Sequence, residues 1–347
     1  MRLMRWNFHG LIIEGTSNNA ALSDRWRQAF ASLMSSEADP DLSLALDVVS
    51  DVPARPAGEP QYRQGDLLEY SLDARVAVAH FPRFGQLRLD LANGATEGQI
   101  TPATLTTYGV FEDLIAIGLS PHLRRRGLFL IHAFGAATPH TGRRNMNVPA
   151  EGMKPGKPGL PNSGRLQPGV ETPGTALLVG GIGSGKTTTG MSLLNAGWKL
   201  LSNDSPVLTA STEVLSYPGL LAAYPDTLAR FEATADAARA APGVEGRQKL
   251  TIAAESIWPN VWIDRAPARA IFFPQIESRP DHAVERLTPP EVLRRLLPHA
   301  VEQWDRDLIP EHLRVLRLLV EAAPAYLLRL GPDILSIPAH VESAMRE

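Results

Sequence analysis

The stretch that most limits what this chain can fold into runs from 175 to 208, TALLVGGIGSGKTTTGMSLLNAGWKLLSNDSPVL. Within it, Gly180, Gly185, Lys186 and Thr187 satisfy the spacing G-x-x-x-x-G-K-[ST] of a phosphate-binding (Walker A) loop. Residues 176–179 are apolar and of strand length. Residues 188–196 read as a helix, with Gly197 placed to end it. The backbone from Gly180 through Gly181, Ile182, Gly183, Ser184 and Gly185 can turn its N–H groups toward a polyphosphate. Lys186 adds a full charge. The helix start carrying Thr187 and Thr188 adds unpaired N–H groups and the positive end of a dipole. The Thr187 hydroxyl is placed for Mg²⁺. The bland alternative is a glycine-rich turn that only reverses the chain, and the agreement of strand, lysine, hydroxyl and helix argues against it.

The neighbouring segments decide what such a loop can work with. Residues 127–137, GLFLIHAFGAA, read as one buried strand. From 136 to 174 there are seven glycines and seven prolines in 39 residues, too little apolar content to fold alone. If the strands on either side form a hairpin, Thr138 pairs near Gly174, and counting back sets His132 beside Gly180. The insertion then leaves from the end opposite the phosphate loop, as a surface arm for a partner or a tolerated insertion. Behind the loop helix, 198–201 reads as a second strand, parallel to the first through a crossover. It ends at Ser202-Asn203-Asp204. A strand end beside a phosphate loop is where a metal-binding or proton-accepting carboxylate is needed, so Asp204 is the candidate; a plain turn at Asp204-Ser205-Pro206 is the alternative.

Residues 1–126 read as a small α/β unit, with strands at 8–13, 74–80 and 86–91 and a turn at Asn93-Gly94. Helices are expected at 24–34 and, opened by Thr101-Pro102, to about 117. Arg124-Arg125-Arg126 is either a patch for phosphate or an acidic partner, or a solvated basic turn. Further on, a hairpin turns at Ser211-Thr212, a helix covers 226–240, and strands cover 249–253 and 270–276. Thr288-Pro289-Pro290-Glu291 is a capping box opening a leucine-rich helix. A second such helix spans 311–321, and a strand at 326–330 precedes a terminal helix.

A strand ending in Ile131-His132, a hairpin into GxGSGKTT, a helix ending at Gly197 and then LLSND together resemble the catalytic domain of HPr kinase/phosphorylase. The resemblance covers roughly 127–347. FHGLII, RRRGLFLIHAF and YLLRLGPDI are similar to the wider set of HPr-kinase-like proteins, which includes peptide serine kinases. It implies an α/β fold: a phosphoenolpyruvate-carboxykinase-like P-loop domain with a mixed sheet over 127–347, carrying the Gly/Pro-rich insertion 138–174 and preceded by a small α/β domain over 1–126. It implies that Gly180 to Lys186 hold ATP phosphates, that Thr187 binds Mg²⁺, that His132 lies beside the transfer centre, and that Asp204 acts near the metal and as base. Lys249, with Arg247, would be a downstream basic contact to substrate. The family's first paired aspartate is Asn203 here, an amide that can orient a metal-bound water but cannot take a proton.

The resulting expectation is an ATP- and Mg²⁺-dependent kinase that phosphorylates a hydroxyl, serine foremost, on a peptide or protein. A nucleotide-binding regulator with little transfer and a small-molecule kinase stay open. Other classes are excluded by simpler facts. The chain has no cysteine, so disulfides, thiolate metal sites and cysteine nucleophiles are ruled out. A net charge of −3 over 347 residues gives no reason to expect nucleic acid. No run approaches the roughly 18 apolar residues of a membrane helix, and the N-terminus lacks a signal-like apolar run, so a cytoplasmic location is expected. A homo-oligomer is left open.

Overall fold

The computed structural model describes residues 2–107, 109–139, 173–217, 219–239, 249–300 and 302–347. It is a mixed α/β structure built on two nine-stranded sheets and a separate two-stranded one.

Short runs of alternating apolar and polar residues make the first sheet. Its strands are β1 (Arg2–Phe8), β2 (Leu11–Ser17), β3 (Met34–Ser35), β4 (Leu42–Val48), β5 (Tyr62–Gln64), β6 (Leu68–Asp73), β7 (Val76–Phe81), β8 (Gly85–Asp90) and β9 (Ala95–Ile100), in the order β3-β1-β2-β4-β9-β8-β7-β6-β5. In β4, Leu42, Leu44 and Leu46 are buried and the residues between them are more exposed, as a period of two requires. The expected strand at 8–13 is instead a hairpin. His9 and Gly10 both have positive φ, 53° and 96°, which is the two-residue turn that matches strand twist. Strands β4, β6 and β9 go beyond the sequence reading.

Helix α1 (Ala20–Ala29) lies earlier than expected, because the Asn19 side chain accepts the Leu22 N–H and caps it there. The single helix expected to 117 is two, α2 (Ala103–Thr106) and α3 (Val110–Arg124). Gly109, at φ 78°, sits in the left-handed region and interrupts the first. α3 packs on the sheet, with Leu114, Leu119 and Leu123 in the same core as Leu44 and Leu87.

The second sheet holds the phosphate loop. Its strands are β10 (Leu128–Leu130), β11 (Ala133–Ala137), β12 (Thr175–Val179), β13 (Lys199–Ser202), β14 (Val207–Thr209), β15 (Glu213–Leu215), β18 (Arg265–Ile276), β19 (Ala283–Arg286) and β20 (Ala325–Leu330). β16 (Leu221–Ala223) and β17 (Leu250–Ile252) pair separately. The helices are α4 (Lys186–Asn195), α5 (Pro225–Leu228), α6 (Glu232–Arg239), α7 (Ala254–Ile257), α8 (Pro289–Ala300), α9 (Ile309–Ala322) and α10 (Ile337–Arg346). The helix expected over 226–240 is thus α5 and α6. The part of that expectation at residue 240 lies outside the described residues.

Side chains of β12 alternate between two cores. Ala176 and Leu178 pack with Met191, Leu194 and Val341 of α4 and α10. Leu177 and Val179 pack with Val292, Leu296 and Leu316 of α8 and α9. Helices on both faces leave the central strand dry, and each fully buried leucine contributes about 1.5–3 kcal/mol. The expected strand 127–137 is divided. β10 pairs β14, while β11 pairs β12 and β13. The break falls at Ile131 and His132, where the chain changes partners. β13 is not adjacent to β12 either: β11 lies between them, antiparallel to both.

The two sheets share a seam. Leu130, Val207 and Leu215 of the second, with Tyr217 just past β15, join the core of the first. Beside it lies a polar cluster: Ser120 and Arg124 bond Glu302, and Arg125 reaches Asp305 Oδ2 at 2.5 Å. The Arg124-Arg125-Arg126 run closes α3 as a turn in which Arg125 and Arg126 are exposed, while Arg124 is buried. Arg124 and Arg125 meet carboxylates of the same chain, and Arg126 donates to the His122 and Asp41 carbonyls. Among the described residues, no helix is long and apolar enough to cross a membrane.

Candidate functional site

The register of β11 on β12 sets the site. Ala133 faces Val179 and Ala137 faces Thr175, so one residue further out His132 stands opposite Gly180. At the other end Thr138 N–H donates to Gly174 O at 3.0 Å, and Gly174 N–H donates to the Thr138 hydroxyl at 3.0 Å. Six residues of extended chain separate the two ends, about 20 Å. The insertion leaves from the far end, and its residues 140–172 lie outside the described ones.

α4 begins directly after Gly185, which has φ 103° and no side-chain cap. A Cβ there would lie 2.6 Å from Leu330 Cδ1, so both conformation and space demand glycine. The uncapped first turn leaves backbone N–H groups for an anion. Gly190, one turn later, lets α4 approach β11; a Cβ would come within 2.5 Å of the Phe134 ring. Ile182 is 88% exposed at the loop tip, so its side chain carries no packing and its backbone forms the turn.

Lys186 is buried. Its Nζ donates to Gly180 O, to Gly181 O at 3.3 Å and toward His132 Nε2 at 3.2 Å. An ammonium has no acceptor, so Nε2 accepts and the neutral ring carries its proton on Nδ1. That nitrogen faces Asp204 Oδ1 at 3.4 Å. Burial pushes the His132 imidazole below its usual value; Asp204 opposes this, and Lys186 and Lys249 reinforce it. Burial likewise lowers the Lys186 ammonium, with Asp204 opposing and Lys249 adding. Lys249 thus acts on both groups through its charge. Its ammonium also lies 5.6 Å from the Tyr224 ring centre. Arg247 lies outside the described residues.

Asp204 is anchored through its backbone. Its carbonyl accepts the Ala133 N–H at 3.0 Å, and the Ser202 hydroxyl accepts the Asp204 N–H at 3.4 Å and the Ser205 N–H at 3.0 Å. The carboxylate itself is 56% exposed and the His132 side chain 41%, so a reactant can reach both.

The residues fit Mg²⁺ and a polyphosphate. The oxygens at hand, the Thr187 hydroxyl, the Asp204 carboxylate and the Asn203 amide, are hard donors. Asn203 Oδ1 and Ser184 Oγ are buried without a hydrogen-bond partner. Among the described residues no group of three or more His, Asp or Glu gathers for a metal. Few protein ligands completed by phosphate oxygens is the way Mg²⁺ is commonly bound.

Two neighbours escape sequence reasoning. His299, at the end of α8, accepts the His132 N–H on its carbonyl at 2.7 Å, and the two rings are 6.0 Å apart. Asp113 of α3 faces a cavity of about 460 Å³ whose wall also includes His132, His299 and Ser205. Solvent in the cavity reaches its carboxyl, yet protein surrounds it. Burial, aided by Asp204 and Glu112, pushes it up to about 6. Neither residue lies in a motif, and only packing of distant segments reveals them. No protein-family model matches the chain, and no curated protein matches it significantly.

Proposed function

We propose that the chain is an ATP- and Mg²⁺-dependent kinase transferring the γ-phosphoryl group to a hydroxyl, serine foremost, of a peptide or protein. In this reading the second sheet is a phosphoenolpyruvate-carboxykinase-like P-loop domain of the HPr kinase/phosphorylase type. The observation that carries it is the contact chain Lys186–His132–Asp204 at the end of the phosphate loop. Many phosphate loops bind nucleotide; a carboxylate and an imidazole held together at the γ-phosphate end suit transfer to an incoming hydroxyl.

Bound ATP would supply the phosphoryl group, and Mg²⁺ would offset its charge. Lys186 and the first-turn N–H groups of α4 hold the phosphates and stabilise charge as it shifts toward the leaving group. Thr187, Asn203 and Asp204 hold the cation. Asp204 orients the acceptor and takes its proton as the acceptor oxygen bonds phosphorus and the bond to the leaving ADP oxygen breaks. His132 sets its Nδ1 3.4 Å from Asp204 Oδ1 and so borders that carboxylate. Lys249 adds positive charge.

The test is transfer of labelled γ-phosphate to serine peptides by wild type, Lys186→Ala and Asp204→Asn. The reading expects no turnover from the first variant, and bound nucleotide without transfer from the second. A second reading, a nucleotide-binding regulator, rests on Asn203, an amide where a second carboxylate would serve. It expects nucleotide binding with no transfer by the wild type. A kinase of small molecules would instead phosphorylate free serine or a sugar.

A further inference from the structure

The cavity beside His132 is built from parts far apart in the chain. α3 contributes Val110, Asp113, Ala116 and Ile117, one face of the helix. The first sheet contributes aromatic and leucine side chains such as Phe81, Phe84 and Leu68. Leu130 and Ile131 lead from it to His132, and Ser205 adjoins Asp204. Its volume, about 460 Å³, is that of a site for a small ligand or a few residues.

Its charge is one-sided. Among the described residues no lysine or arginine lines it. The two histidines that do, His132 and His299, are both held below their usual value, foremost by burial, so at neutral pH they add no charge. Glu302 in the wall is already bonded by Ser120 and Arg124. Asp113 is the remaining carboxylate, and no side chain among the described residues bonds it. With its pKa at about 6, it is mostly ionised at pH 7.5. A carboxylate with no bonded side-chain partner, in a cavity that no described lysine or arginine lines, favours an occupant that brings a cation to it and disfavours a second anion.

We propose that this cavity is the acceptor site, and that it takes a peptide hydroxyl flanked by an apolar side chain and a cationic one, the cation meeting Asp113 while the hydroxyl reaches Asp204. This rests on the kinase reading for the hydroxyl's role, but the cation preference is a binding property that can be measured without transfer.

The experiment is calorimetric titration of the full-length protein, at pH 7.5, with the capped peptides Phe-Ser-Lys, Phe-Ser-norleucine and Phe-Ser-Glu, repeated on Asp113→Asn and alongside a phosphate-transfer assay. The expected result is at least tenfold tighter binding of the lysine peptide than of the glutamate peptide, a difference that Asp113→Asn removes while nucleotide affinity stays unchanged. Equal binding of the three, binding of none, or a lysine preference that survives Asp113→Asn overturns the proposal. A lysine preference without phosphate transfer upholds the site and sinks the kinase reading. Transfer without a preference does the reverse. Asp113→Ser serves as a second variant should Asp113→Asn fold poorly.

Discussion

Two clusters in this protein set a carboxylate against a basic side chain, and they are opposite in kind. At the seam between the sheets, Arg124 and Glu302 have side chains 0% and 10% exposed. Glu302 takes Ser120 and Arg124, and Arg125 takes Asp305. At the phosphate loop, Asp204 and His132 stay open to solvent, and Asn203 Oδ1 and Ser184 Oγ beside them are buried without partners. The first cluster has most of its charge matched internally and holds two sheets together. The second keeps bonding capacity for something outside the chain. Arg124 Nε and Nη2 are themselves buried without partners, so what separates the two clusters is access of their charged groups to solvent rather than residue type or the number of unpartnered atoms.

Substitutions should therefore act on different observables in the two places. The largest effect is expected at the open cluster. Lys186→Ala should lower turnover by about 10³-fold or more, because bound phosphates would lose the buried Lys186 ammonium. Its unfolding free energy should change by only about 1–2 kcal/mol, the price of leaving Gly180 O without its donor. Steady-state kinetics and urea unfolding read the two quantities. A variant that loses stability and activity in parallel would erase the contrast.

Glu302→Ala should do the converse. Removing it strands Arg124 inside the seam, and breaking such a pair destabilises by about 3–5 kcal/mol. Nucleotide affinity of the fraction that stays folded should be unchanged, as measured by titration below the melting temperature.

A smaller, graded effect should appear with pH. Burial holds His122 down at about 4 and His312 at about 3. Both therefore stay neutral when folded, whereas the unfolded chain takes up protons below about 6.5. The unfolded state binds more protons in that window. The contribution is complete above pH 6.5 and is lost as pH falls toward 4, by up to about 1.4 kcal/mol per pH unit for each histidine. Urea midpoints at pH 7.5 and 5 test the sign; a midpoint that rises at pH 5 would contradict it.

What the sequence made legible follows from which interactions are local. The phosphate loop, its helix and the cap at Thr288, whose N–H donates to Glu291 Oε2 at 2.9 Å, are written within a few residues. The position of His132 was reachable because an antiparallel pairing has a constant register sum, so one hairpin end locates the other. The break at Ile131 and His132 was not, since it depends on β14 drawing β10 away from β11. β13 falling beside β11 instead of β12 is likewise a matter of strand order, which periodicity does not carry. Arg125 meets Asp305 across 180 residues, a pairing that no local reading of the arginine run contains. Asp113 and His299 reach the site for the same reason, by packing alone.

The most direct measurement is γ-phosphate transfer by Asp204→Asn set beside its nucleotide affinity. The account predicts Mg²⁺–ATP binding within a few-fold of wild type and transfer to serine peptides reduced by about 10²–10⁴-fold, the usual range for a lost general base. Transfer at the wild-type rate would contradict it and take Asp204 out of the chemistry.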